Sequence, residues 1–119
     1  MPPPRLGGRG EDLAAEFLRE RGWSILHRNF RAGRKEIDLV ARRGEVVAFV
    51  EVKTRSGLGY GHPLEAITAR KRREIQQVAA AWIDRHAALP VSYRFDAVAV
   101  LLRAGDQPLV EHVEDAWRM

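Results

Sequence analysis

The sequence predicts an α/β fold, and three observations carry that prediction. Two runs of period-two alternation, Lys35 to Arg42 and Glu45 to Lys53, are separated only by a turn at Arg43 and Gly44, which makes them an antiparallel hairpin. A helical stripe of Ile75, Val78, Ala79, Trp82 and Ile83 follows. A nearly continuous apolar run, Tyr93 to Leu102, comes next; its link to the hairpin through a helix implies a right-handed crossover and a parallel pairing. The predicted order is helix, strand, strand, strand, helix, strand, strand.

A chain of 119 residues suits a single domain, 1–119, with a real core. Its 45% hydrophobic and 30% charged residues are those of a globular protein rather than a disordered one. No apolar run approaches the roughly 20 residues that span a bilayer, and the opening MPPPRLGGRG lacks the apolar centre of a signal peptide. The expectation is a cytoplasmic protein with no membrane partner. The absence of cysteine excludes disulfides and thiolate metal sites. A net charge of +4 and a pI near 10.1 point to a polyanionic partner such as nucleic acid, and arginine suits bidentate phosphate contacts.

Residues 1–7, rich in proline, glycine and arginine, read as a flexible basic arm. Leu13, Ala14, Phe17 and Leu18 recur at helical spacing and Gly22 stops the pattern, so a helix is expected from Gly8 to Arg21. Glu11 falls at the edge of its buried face, in the first turn, where an acid complements the helix dipole or serves a site. The stretch WSILHRNF alternates as a first strand, and the cations Arg28, Arg31, Arg34 and Lys35 gather at its end. The second strand places Ile37, Leu39 and Ala41 on one face and Glu36, Asp38 and Val40 on the other. The third opposes Val46, Ala48, Val50 and Val52 to Val47, Phe49, Glu51 and Lys53. Residues 54–63, TRSGLGYGHP, read as a flexible loop. Thr68 caps a helix running to Arg85, whose first turn carries Arg70, Lys71, Arg72 and Arg73 against the dipole, an arrangement that suits either an external anion or a solvated face. Leu109 to Val113 reads as a short edge strand, and 115–119 as a tail whose Trp117 folds back on the core.

The chemistry centres on the hairpin. Hydrolysing a phosphodiester requires an activated water, neutralisation of charge developing on the phosphoryl group and an oriented leaving oxygen. Asp38 and Glu51 offer hard oxygen ligands for Mg²⁺ or Mn²⁺, Lys53 can steady the hydroxide or the phosphate, and Glu11 could add a ligand. Each residue alone has a plainer reading: Glu-x-Lys as a surface ion pair, the aspartate as protection of an edge. The combination across a hairpin is what singles them out.

Gly10-Glu11, Arg28-Asn29, Glu36-Ile37-Asp38-Leu39-Val40, Phe49-Val50-Glu51-Val52-Lys53-Thr54-Arg55 and Arg94-Phe95-Asp96 together resemble the bacterial YraN family, within the PD-(D/E)xK nuclease superfamily and similar to archaeal Holliday-junction resolvases. The chain departs from that pattern at Lys35, where the family usually has glycine. The resemblance implies a three-layer α/β/α, restriction-endonuclease-like fold with a mixed sheet. It implies metal ligation by Asp38, Glu51 and Glu11, with Lys53 catalytic. The function expected is a metal-dependent endonuclease acting on DNA, branched or duplex, with Arg28, Arg31, Arg55, Arg70, Lys71 and Arg73 holding the backbone. The alternative is a non-catalytic nucleic-acid-binding or adaptor module on the same fold. Paired cuts in a junction would call for a homodimer.

Overall fold

The computed structural model describes residues 6–56, 67–86 and 91–118. Seven elements follow in order: α1 (Leu6–Glu20), β1 (Ser24–Ala32), β2 (Lys35–Arg43), β3 (Val46–Ser56), α2 (Ala69–His86), β4 (Ser92–Leu102) and β5 (Leu109–Trp117). The strands form one mixed sheet in the order β1-β2-β3-β4-β5, antiparallel except for the parallel β3–β4 pair that α2 bridges. Strands β3 and β4, flanked on both sides, supply much of the core, as their near-continuous apolar sequence requires.

One helix covers each face. Ala14, Ala15 and Leu18 of α1 pack with Trp23 on Leu39, Ala41, Ala48, Val50, Val98 and Val100. On the other face Ile75, Val78, Ala79 and Trp82 of α2 meet Ile37, Val40, Val47, Phe49, Phe95 and Ala97. Helix α1 ends in a Schellman turn: Trp23 N donates to Leu18 O at 3.0 Å and Gly22 N to Arg19 O at 3.1 Å. Gly22 sits at φ 88, which a side chain would disfavour. Thr68 caps α2, its hydroxyl accepting from Lys71 N at 3.1 Å.

Four expectations change. Leu6 and Gly7 belong to α1 rather than to an arm, so Glu11 lies in the second turn and complements the dipole less; residues 1–5 fall outside the described residues. Thr54 to Ser56 continue β3 because they pair in register with Val100 to Leu102, while 57–63 lie outside the described residues. Strand β5 runs on to Trp117, which is buried and stacks on Phe95 at 5.3 Å, so 115–117 is strand rather than tail. The simple alternation on β2 fails. Ile37 and Val40 share the α2 face whereas Leu39 and Ala41 share the α1 face, so the pleat slips beside Asn29, a residue held at φ 53 on the neighbouring strand.

Both edge strands carry bulges. Leu26 is extra in β1, between the Ile25–Ala41 and His27–Val40 pairs. In β5 three residues, 114–116, oppose Asp96 alone, and Asp115 takes φ 51. Among the described residues no helix is long and apolar enough to cross a membrane.

Candidate active site

The carboxyl end of β3 opens into a cleft of about 710 Å³, lined by Gly8, Glu11, Asn29, Arg31, Glu36, Asp38, Val52, Lys53, Thr54 and Arg55. Strand β3 is apolar through Val50 and carries Glu51, Lys53, Thr54 and Arg55 beyond it, beside Gly10 of α1 and Lys71 of α2. Its neighbour β2 runs the opposite way, so the start of β2 brings Glu36 and Asp38 to the same end.

Asp38 is tied to β3: the Val52 N–H donates to its Oδ2 at 2.7 Å. Glu51 is 4% exposed, which removes the reading of Glu-x-Lys as a surface pair. Its Oε1 lies 3.4 Å from Lys53 Nζ and 3.9 Å from Lys71 Nζ, the latter arriving from the first turn of α2. Burial, then repulsion from Asp38, pushes the Glu51 carboxyl up to about 7 against the pull of the two lysines. Burial also raises Asp38, opposed by the Val52 N–H and by a hydrogen bond to Glu51. The two carboxyls therefore compete for positive charge in one dry corner.

Glu11 reaches the same cleft from α1. Burial and then the nearby Asp38 raise it to about 7, with Arg28 pulling the other way. Asn29 donates its side-chain amide to Glu11 Oε1 at 3.4 Å. The approach of α1 depends on Gly10: a Cβ there would run into the Thr54 hydroxyl and stand 3.0 Å from Thr54 Cβ. Among the described residues no three histidine, aspartate or glutamate side chains converge as a ready-made metal cage.

A family model described as the uncharacterised protein family UPF0102 matches residues 10–100, a span holding Glu11, Asp38, Glu51 and Lys53. The chain belongs to the UPF0102 family. It is 48% identical over 112 residues to a UPF0102 protein of Rhodococcus opacus, covering 94% of this chain and 95% of that one. It is 46% identical over 114 residues to one of Geobacter sulfurreducens, covering 96% and 89%, and 44% identical over 119 residues to one of Chloroherpeton thalassium, covering 94% and 92%.

The cations of this UPF0102 chain divide by position. Arg31 and Arg55 line the cleft, and Arg31 Nε also donates to Glu36 Oε2 at 3.1 Å. Arg28 is drawn to Asp12 on α1, 2.6 Å away. The four cations opening α2 disperse: Arg70 lies 3.5 Å from Glu74, Arg72 folds over the Trp117 ring, Arg73 is exposed, and Lys71 alone turns toward the carboxylates.

A second constellation had no assigned role in the sequence reading. Asp96, 0% exposed, accepts from Arg94 Nε at 2.9 Å, from Arg94 Nη2 at 3.1 Å and from the Asp115 N–H at 3.0 Å, and its Oδ2 lies 2.7 Å from His112 Nε2. Burial works to raise Asp96, but the bonds to His112, Arg94 and the Asp115 N–H prevail and hold it below the usual carboxylate range. Arg94 and Arg43 both reach Glu114 at 3.3 Å, and both lie over the Trp23 ring. This cluster fastens the β5 bulge to β4. Nothing in the local sequence pattern announces it beyond a charged residue inside an apolar strand.

Proposed function

We propose that this protein is a metal-dependent endonuclease that hydrolyses DNA phosphodiesters, built on a restriction-endonuclease-like fold of the PD-(D/E)xK kind. The observation that carries the reading is the meeting of half-buried Asp38 and buried Glu51, carboxyls from adjacent strands, with the Lys53 ammonium 3.4 Å from Glu51. Hard carboxylate oxygens short of positive charge fit Mg²⁺ or Mn²⁺, with water and phosphate oxygens completing the shell. Asp38 and Glu51 would hold the cation, with Glu11 supporting it from the rim. Bound there, such an ion supplies charge neutralisation and a more acidic water.

The chain's own residues do the rest. Lys53, its ammonium 3.4 Å from Glu51, would orient the attacking water or the phosphoryl oxygen. The water oxygen bonds to phosphorus as the bond to the leaving sugar oxygen breaks; one water proton ends on that oxygen and the other on the new phosphate monoester. Arg31 and Arg55 on the cleft wall hold flanking phosphates of a duplex or a branched substrate. Paired cuts in a branch would require a homodimer.

The test is cleavage of linear, flap and junction DNA with Mg²⁺ and Mn²⁺. Asp38→Ala and Lys53→Ala should each lower the rate by at least about 10²-fold while the protein stays folded and still binds DNA. Undiminished cleavage by both purified variants would remove the proposal.

One observation favours a second reading, a nucleic-acid-binding module without turnover: Lys53 and Lys71 already offset the Glu51 charge from within the chain. That reading expects salt-sensitive binding to DNA and no divalent-dependent cleavage of any substrate.

A further inference from the structure

The lysines around Glu51 differ in origin and surroundings. Lys53 is on the same strand as the carboxylate, so period-two spacing alone brings the two side chains together. Lys71 comes from a different element, the first turn of the crossover helix α2. Its backbone is pinned by the Thr68 cap, with Lys71 N to Thr68 Oγ1 at 3.1 Å and Arg72 N to Thr68 O at 2.9 Å. Its stem is half-buried, unlike the side chain of Arg70, which is 85% exposed. At 3.9 Å from Glu51 Oε1 the ammonium is beyond hydrogen-bonding reach, so that carboxylate does not consume its donors. Its charge nonetheless acts on both Glu51 and Asp38.

Charge balance gives this placement a purpose. If a divalent cation neutralises Asp38 and Glu51, the ammonium groups of Lys53 and Lys71 are left uncompensated in the same corner. A phosphodiester carries a single negative charge, and attack of hydroxide adds a second in the transition state. An ammonium already fixed beside that position stabilises the doubly charged species more than the substrate, which is the condition for accelerating the step.

We infer that Lys71 is a second catalytic lysine, contacting a non-bridging oxygen of the scissile phosphate from the α2 side while Lys53 works from the β3 side. This rests on the nuclease reading above and extends it to a residue on another element. Lys71 is thereby separated from Arg73, which serves binding alone.

The experiment compares wild type, Lys71→Met, Lys71→Arg and Arg73→Ala on one cleavable DNA and on two versions of it carrying sulfur at either non-bridging oxygen of the scissile phosphate. Lys71→Met should lower kcat about 10²-fold. Its affinity for the same DNA in EDTA, followed by fluorescence anisotropy, should change less than about threefold, one phosphate contact being a small part of backbone binding. Lys71→Arg, which keeps the cation, should be faster than Lys71→Met. Arg73→Ala should weaken binding and lower kcat less than Lys71→Met does. The sulfur isomer that slows the wild type through lost contact with Lys71 should no longer do so in Lys71→Met, because coupled groups are non-additive. Wild-type cleavage matched within about twofold by Lys71→Met would overturn the inference and leave the nuclease reading standing. So would a loss in Lys71→Met confined to binding, or a sulfur effect unchanged by the substitution. A wild type that cleaves none of the substrates with Mg²⁺ or Mn²⁺ would overturn both.

Discussion

Glu51 is held in a state that costs the fold stability. Its carboxyl, 4.5 when free, stands at about 7 in the folded chain. A carboxyl raised on folding binds its proton more tightly in the folded state. Stability is therefore fully present below the unfolded value near 4.5 and declines as pH rises toward 7. The gap corresponds to roughly 3 kcal/mol for a side chain so deeply buried. Without divalent cation, Glu51→Gln should therefore melt on the order of 10 °C higher than wild type at pH 8, with the difference vanishing at pH 5. A lower Tm for the variant at pH 8 would mean that the ion pairs with Lys53 and Lys71 outweigh burial. At this scale the pairing of Glu51 with Lys53 was legible in the sequence, because period-two spacing dictates it, whereas the slip in the β2 pleat around Asp38 was not. The Asn29 contact to Glu11 was not, since asparagine only permits the left-handed backbone that it adopts there.

At the scale of elements, α1 and β3 fit together through one missing side chain. Alanine is a better helix former than glycine by up to about 1 kcal/mol, so Gly10→Ala ought to stabilise an isolated α1. Against Thr54 it should instead destabilise the protein by about 1–3 kcal/mol in urea denaturation and slow cleavage by moving Glu11 off the cleft. The spacing of Leu13, Ala14, Phe17 and Leu18 revealed the buried face of α1, but its start two residues early was hidden because Gly7 and Gly8 are poor helix formers. The β4–β5 clamp makes the complementary case. Asp96→Asn leaves Arg94 half-paired and should cost about 3 kcal/mol at pH 7. With its folded value depressed, Asp96 stabilises fully above the unfolded value of 3.8, and that contribution fades as pH falls through the lower folded value. Acid denaturation followed by circular dichroism should thus lose its steepest component in the variant. The clamp depends on residues 16 to 19 positions apart meeting across a bulge, which no local pattern specifies.

Over the whole molecule, the chain reads as one sheet with two unlike ends. The close of β1, the start of β2, the close of β3 and the opening of α1 meet at the cleft, the first turn of α2 brings Lys71 within 3.9 Å of Glu51, and the arginines and lysines of those segments give that end its basic character. The order of elements and the parallel crossover were readable because connection rules leave few alternatives. The direction in which α2 points its first turn was not readable, and so Lys71 stood in the sequence as one cation among four. The bulged margins carry a further implication. Leu26 in β1 and the 114–116 excess in β5 interrupt the ladder on both outermost strands, and each of those strands includes a residue in the left-handed region. Margins of this shape reject a strand from a neighbouring molecule. Two copies that pair to cut both arms of a branch would have to meet through helices or loops, leaving the sheet five strands wide in each.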